Sequence, residues 1–181
     1  MLHCHGSTPA GGDDKTQTRR ARDCSPLLSE YNISLSNGLL VIEAQNVWGI
    51  LYGLETVAQL VYVTPSGMKY ISGILIEDAP RYPHRGFLID TSRHFLSKAV
   101  IKVFLDAMAM VKMNVLHWHI VDDQSFPYYS EAFPELSQKG SYDPISKVYT
   151  QTDLREIIEY ARQRGIRVMA EFDTPGRPVE S

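Results

Sequence analysis

The sequence predicts an α/β protein with a parallel sheet, preceded by a smaller α+β unit. From residue 85 onward, apolar strand segments alternate with amphipathic helical segments, which implies parallel strands joined by right-handed crossovers. These strand segments are nearly continuous apolar runs, as expected for strands that are buried on both faces. Residues 30–79 instead contain two adjacent strand segments, one helical segment and a further strand segment, which is typical of an α+β unit.

The first unit begins with YNISL, residues 31–35, in which apolar and polar residues alternate as in a half-buried strand. GLLVIEA, residues 38–44, predicts a second strand, and the SNG that leads into it is typical of a hairpin turn. From Asn46 onward the apolar residues recur three and four positions apart, which predicts a helix with one apolar face. MKYISGILIED, residues 68–78, predicts another strand.

Residues 78–84 contain two prolines and no periodicity, and we expect the domain junction there. RGFLID, NVLHWHIV and IRVMAEF predict the three strands of the second unit. Ser97 is suited to cap the first intervening helix, and Thr150 with Asp153 predicts a capping box at the start of the second. Gly165 suits the C′ position that ends that helix.

Composition and charge argue against a nucleic-acid-binding protein and a membrane-spanning protein. The 181 residues are 44% hydrophobic and 22% charged with a formal net charge of -3, and no basic stripe indicates a nucleic-acid partner. No apolar run approaches the ~20 residues of a membrane helix, and the N-terminus lacks the apolar core of a secretory signal.

Residues 1–29 are predicted to be flexible, and Cys4 and Cys24 are compatible with a disulfide or with two free thiols.

Ionisable side chains lie at or just after the C-terminal end of each strand of the second unit. Because parallel α/β folds place their sites at the C-terminal ends of the strands, we expect these side chains to form a polar pocket. They are Asp90, Arg93, His94, Asp122, Asp123, Glu171 and Asp173. The guanidinium of Arg93 suits a carboxylate, a phosphate or a pair of hydroxyls. The carboxylates suit sugar hydroxyls, acid/base catalysis or a metal, and the residue types alone leave these alternatives open.

The HWH motif places His117 and His119 on one face of a strand, with Trp118 on the other. Together with Asp123, the two histidines suggest a zinc site, and a metal hydrolase is one hypothesis. No third histidine follows at a ligand spacing. We therefore favour imidazoles that are buried and hydrogen-bonded to neighbouring acids.

Residues 124–142 form an aromatic segment at the same end of the predicted sheet. Its aromatic residues are suited either to stack on a sugar or to pack as a lid, and we favour packing. They are Phe126, Tyr128, Tyr129 and Phe133.

Several long motifs together resemble the β-N-acetylhexosaminidases of glycoside hydrolase family 20, most closely the lysosomal animal enzymes. These motifs are HRGFLIDTSRHFL, MNVLHWHIVDDQSFPY, FPELSQKGSY and IEYARQRGIRVMAEFDTPG, with VWGILYGLETVAQLVY before them. The resemblance implies that residues 85–176 are the first three βα units of a (β/α)8 TIM barrel. It also implies that residues 30–79 are part of the preceding accessory domain and that residues 177–181 diverge from the family.

The resemblance implies hydrolysis of terminal β-linked N-acetylhexosamine from glycoconjugates by a substrate-assisted, retaining mechanism without a cofactor. Arg93 matches the arginine that grips the ring hydroxyls, and Asp122 and Asp173 match acids around the general-acid glutamate. That glutamate and its preceding aspartate belong to a later strand. Arg177 stands where the family has a histidine. We therefore expect this chain to be inactive by itself.

The resemblance also implies partners and a location. The expected partners are N-acetylhexosamine-terminated glycans and a hexosaminidase subunit, with no nucleic acid and no membrane span. A non-catalytic variant that binds a full-length subunit or a sugar is the alternative. Asn32 begins a glycosylation sequon and Cys24 resembles a family cysteine, which indicate a lysosomal or secreted parent.

Overall fold

The computed structural model describes residues 2–4, 29–71 and 73–174. The chain forms two compact units, and the division between them falls between Pro83 and His84. This position lies within the proline-containing segment 78–84. None of the helices in the described ranges is long and apolar enough to cross a membrane.

A four-stranded sheet and one helix make up most of the first unit. In spatial order the strands are β1 (Leu2–Cys4), β3 (Leu39–Ala44), β2 (Tyr31–Ser36) and β6 (Ile74–Asp78). Helix α1 (Val47–Leu60) follows β3, and its buried residues form one apolar core with those of β2 and β3. Strands β4 (Tyr62–Val63) and β5 (Lys69–Tyr70) form a separate antiparallel pair.

The predicted hairpin between β2 and β3 is confirmed. The two strands pair antiparallel, with Ser36 opposite Leu39. Asn37 and Gly38 between them have φ values of 51° and 76°. Two successive positive φ angles are typical of the tight turn that matches the twist of the flanking strands.

The first unit differs from the sequence prediction in two places. Leu2–Cys4 forms a strand parallel to β3, although residues 1–29 were predicted to be flexible; the rest of that segment lies outside the described residues. A parallel partner satisfies backbone groups that β3 would otherwise expose at the sheet edge. The single strand predicted over residues 68–78 is also wrong, because Lys69–Tyr70 pairs with β4 whereas Ile74–Asp78 pairs with β2.

The second unit is built on a three-stranded parallel sheet in the order β7 (Gly86–Asp90), β8 (Val115–Val121), β9 (Arg167–Phe172). Helix α2 (Lys98–Met110) connects β7 to β8. Helices α3 (Glu135–Gly140) and α4 (Gln151–Arg162) lie between β8 and β9. The strand and helix alternation predicted from residue 85 is therefore confirmed, whereas the short helix α3 was not predicted.

The predicted helix caps are confirmed. The Ser97 side chain accepts a hydrogen bond from the Val100 N–H, and Thr150 with Asp153 forms a reciprocal capping box. At the end of α4, Gly165 has a φ of 71°. The Gly165 N–H donates to Arg162 O and the following N–H donates to Ala161 O, which is the hydrogen-bond pattern expected around a C′ glycine.

The two faces of the parallel sheet have different characters. Ile89, Leu116 and Trp118 belong to the buried core that α2 and α4 complete. The strand register places Asp90, His119 and Glu171 on the opposite face. The face covered by the helices therefore packs into the apolar core, whereas the other face carries the ionisable side chains.

Candidate functional site

The site lies at the C-terminal ends of the three parallel strands, where the sequence predicted a polar pocket. Asp90, His119 and Glu171 are adjacent in register. Arg93 and Asp122 come directly after β7 and β8. Hydrogen bonds and ion pairs connect these five side chains, which we call the charged cluster.

Arg93 is held from two sides. Its Nη1 lies 2.9 Å from Asp90 Oδ2, and its Nη2 lies 2.7 Å from Asp122 Oδ2. The other Asp90 oxygen accepts the backbone N–H groups of Ser92 and Arg93, each at 3.0 Å. Because the Arg93 side chain is still 45% exposed, its guanidinium is both oriented by acids and open to a ligand.

His119 connects the strand ends to one another. Its Nδ1 lies 2.9 Å from Glu171 Oε2, and its Nε2 lies 3.0 Å from both Asp122 Oδ2 and Arg93 Nη1. The same Glu171 oxygen lies 2.6 Å from His117 Nε2. The prediction that the imidazoles are bonded to neighbouring acids is confirmed; His119 is buried, whereas His117 is only half-buried.

These contacts shift the pKa values of the cluster in opposite directions. Burial acts to lower the pKa of His119, but hydrogen bonds to Glu171 and Asp122 outweigh it, so the pKa is raised. The hydrogen bond with His119 lowers the pKa of Glu171. The Asp123 backbone N–H, followed by His119 and Arg93, lowers the pKa of Asp122. The cluster therefore favours ionised carboxylates beside a protonated imidazole.

The structure does not bring together the metal ligands that the sequence suggested. Within the described residues, the group of His, Asp and Glu whose atoms approach within 4.8 Å is His119, Asp122 and Asp173. The predicted set of His117, His119 and Asp123 is not such a group. The Arg93 guanidinium and the protonated His119 already bind Asp122 and would oppose a further cation, so we assign no metal here.

The remaining predicted site residues, two acids and a histidine, lie at the edge of the charged cluster. Asp173 is exposed, and its backbone N–H donates to Val121 O at 3.2 Å, which continues the β8–β9 pairing beyond β9. Asp123 is also exposed and contributes its backbone N–H to Asp122 at 2.7 Å. His94 follows Arg93 in the chain and is exposed.

The aromatic segment divides into packed and exposed residues. Tyr128 packs edge-on against Phe172, with ring centroids 4.9 Å apart, and Phe126 lies 6.5 Å from Tyr128. Phe126 and Tyr128 are both half-buried against the core of the second unit. Tyr129 and Phe133 are exposed. Packing, which the sequence analysis favoured, therefore describes two of these four residues.

Three further residues support the site, and sequence reasoning did not single them out. Thr91 is buried and donates from its backbone to His119 O at 3.0 Å. Ser92 is buried and donates from its hydroxyl to Ser125 O, also at 3.0 Å. Tyr142 donates to Arg93 O at 3.2 Å. No local pattern marks such residues, because their partners lie 28 to 49 positions away.

A family model supports the arrangement of motifs found in the sequence. The model "Glycosyl hydrolase family 20, catalytic domain" matches residues 82–179. The bovine (Bos taurus) protein named beta-hexosaminidase subunit alpha is 54% identical over 152 residues, covering 84% of this chain and 29% of the relative. The mouse (Mus musculus) beta-hexosaminidase subunit beta is 60% identical over 146 residues, covering 81% of this chain and 27% of the relative. The chain thus spans less than a third of the length of these relatives.

Solved structures agree with this match. A chitobiase from Flavobacterium johnsoniae superposes with a TM-score of 0.75 at 38% identity, covering 82% of this chain and 22% of the other. A beta-N-acetylhexosaminidase from Bacteroides fragilis also gives a TM-score of 0.75, at 29% identity. This match covers 82% of this chain and 31% of the other. The α/β fold of the chain therefore matches part of each of these larger structures.

Proposed function

Since the chain belongs to glycosyl hydrolase family 20, we propose that residues 85–176 are the first three βα units of its TIM-barrel catalytic domain. Residues 30–79 would belong to the accessory domain before the barrel. The parallel order β7, β8, β9 with intervening helices supports this assignment. So does the position of the charged cluster at the C-terminal ends of the strands.

The part of the site on this chain is proposed to bind the hydroxyls of a terminal N-acetylhexosamine. The observation that carries the proposal is the guanidinium of Arg93, which Asp90 and Asp122 orient while nearly half of the side chain stays exposed. A guanidinium oriented in this way presents parallel N–H groups to two adjacent hydroxyls. Asp122 and Asp173 are suited to accept hydrogen bonds from the same sugar or from the acid that protonates the leaving group.

The proposed parent reaction is hydrolysis of β-linked N-acetylhexosamine in which the acetamido oxygen of the substrate attacks the anomeric carbon. The family's general-acid glutamate and its neighbouring aspartate are expected on a later strand, and these 181 residues contain no Asp-Glu pair. We therefore propose that this chain binds the sugar but does not hydrolyse the glycosidic bond by itself.

The test is to titrate the purified chain with N-acetylglucosamine by calorimetry. We expect Arg93→Lys to weaken binding by roughly ten- to a hundredfold, since a charge-assisted hydrogen bond worth roughly 1.5–3 kcal/mol is lost. Arg162→Lys is the matched control, because Arg162 pairs with Glu159 on the surface of α4. Equal affinities for the two variants would contradict the sugar-binding role of Arg93.

Hydrolysis is tested separately with a chromogenic N-acetylglucosaminide. We expect no turnover above the background rate. Turnover at a rate near that of a full-length relative would show that the chain supplies its own proton donor.

A second candidate role is association with a full-length hexosaminidase subunit. Both of the curated relatives described above are named as subunits. In the described residues the sheet of the second unit ends at β7 and β9, whose outer edges have no paired strand. Co-purification of the tagged chain with a full-length subunit would support this role, and elution of the chain alone would argue against it.

The parent is proposed to enter the secretory or lysosomal route, with a glycan on Asn32. Asn32 is exposed, whereas its neighbours Tyr31 and Ile33 are buried on the other face of β2. The side chain of the sequon is therefore accessible to a modifying enzyme.

A further inference from the structure

His119 contacts one charged group from each of the three strand ends. Glu171 belongs to β9, Asp122 follows β8, and Arg93 follows β7. The His119 side chain is 9% exposed, so most of its surface is in contact with protein. A buried imidazole in this position links the end of β9 to the segments that follow β7 and β8.

We propose that His119 is a positioning residue that orients Arg93 and Asp122 to bind sugar hydroxyls. The proposal rests on the sugar-binding role proposed for Arg93. His119 itself is not expected to touch the sugar, because its ring nitrogens already lie within 3.0 Å of Glu171, Asp122 and Arg93.

The first step is the orientation of the ring. Glu171 Oε2 lies 2.6 Å from His117 Nε2 and 2.9 Å from His119 Nδ1, so one carboxylate oxygen binds two imidazoles. An ionised carboxylate only accepts hydrogen bonds, so both ring nitrogens that face it carry hydrogen. The His119 carbonyl also accepts the Thr91 N–H at 3.0 Å. Both the backbone and the ring plane of His119 are thereby held in place.

The second step is the effect on Arg93. With the ring held by Glu171, His119 Nε2 lies 3.0 Å from Arg93 Nη1 and 3.0 Å from Asp122 Oδ2. Arg93 Nη2 lies 2.7 Å from that same oxygen. The protonated imidazole donates to the Asp122 carboxylate and Arg93 donates to the same oxygen, so Asp122 transmits the orientation of the ring to the guanidinium. A long side chain that is restrained before the ligand arrives loses less conformational entropy on binding, so the affinity is higher.

The test compares His119→Gln with His119→Asn. The terminal amide of glutamine reaches the position of the ring Nε2 and retains a donor for Asp122, whose carboxylate also binds Arg93. The shorter asparagine amide reaches the position of Nδ1 and retains only the contact with Glu171. We expect His119→Asn to weaken N-acetylglucosamine binding by about tenfold and His119→Gln to stay within about threefold of the parent chain. Equal affinities for the two variants would overturn the proposal.

A second measurement does not depend on sugar binding. The guanidinium N–H resonances of Arg93 report its rotation by ¹⁵N NMR, and we expect hindered rotation in the parent chain and in His119→Gln but fast rotation in His119→Asn. If the parent chain binds no sugar, the proposed function fails while this readout still tests His119. If His119→Asn does not fold, Glu171→Ala is used, because it removes the acceptor for Nδ1. Unchanged Arg93 resonances in whichever variant folds would overturn the proposal.

Discussion

The indole Nε1 of Trp118 donates a hydrogen bond to the Thr91 hydroxyl at 2.9 Å. Both residues are almost completely buried. Thr91 belongs to the turn that carries Arg93, and Trp118 belongs to the β8 face opposite His119. The apolar core below the sheet is therefore connected directly to the turn that holds the candidate sugar-binding arginine.

We expect Thr91→Val to destabilise the chain by about 1–3 kcal/mol, because it leaves the buried Trp118 N–H without an acceptor. Thr91→Ser keeps the hydroxyl and serves as the matched control. Urea unfolding gives the difference in free energy. A Thr91→Val variant as stable as Thr91→Ser would show that the indole finds another partner.

The charged cluster predicts opposite pH dependences at acid and alkaline pH. The pKa of Asp122 and Glu171 is lowered in the folded chain, so their stabilising contribution is lost as pH falls through those lowered values. The pKa of His119 is raised, so its contribution is present below the unfolded value of about 6.5 and is lost as pH rises through the folded value. Urea unfolding across this range should show both losses. His119→Gln should abolish the alkaline loss and reduce the acid loss, because His119 lowers the pKa of Glu171 and helps to lower that of Asp122. An unchanged alkaline loss in that variant would assign it to another group.

We expect Gly49→Ala to destabilise the first unit by about 1–3 kcal/mol through overpacking. A Cβ at residue 49 would lie 2.5 Å from Glu30 O and 2.7 Å from Ala44 Cβ, so α1 would have to move away from the sheet. Gly73→Ala is the control, because its nearest atom is Leu35 O at an ordinary 3.5 Å. Thermal unfolding of the two variants compares the effects, and equal midpoints would contradict close packing at Gly49.

Expression in a secretory host should add one N-linked glycan at Asn32. Asn32→Gln and Ser34→Ala each remove the sequon, so both variants should lose the same mass by intact-protein mass spectrometry. A parent chain that carries no glycan when secreted would contradict the assignment.

Much of the local structure could be predicted from the sequence because its causes are local. The alternating pattern of residues 31–35 predicted β2, and Ser97, Thr150 and Gly165 predicted helix ends that the structure confirms. These signals depend on a few neighbouring residues: alternation for β2, side-chain caps for Ser97 and Thr150, and a positive φ for Gly165. Strand pairing is not local in this way, and Leu2–Cys4 and residues 68–78 were the places where the prediction was wrong.

The sequence by itself determined that acids, an arginine and histidines lie at or near the C-terminal ends of successive parallel strands. Only the tertiary structure decided which of them meet, because the register of β7, β8 and β9 brings Asp90, His119 and Glu171 into one row. The contacts of His119 with Asp122 and Arg93, and the hydrogen bond from Trp118 to Thr91, join groups on different strands and turns. Such bonds depend on distance and orientation in space. The order of residues along the chain does not encode these directly.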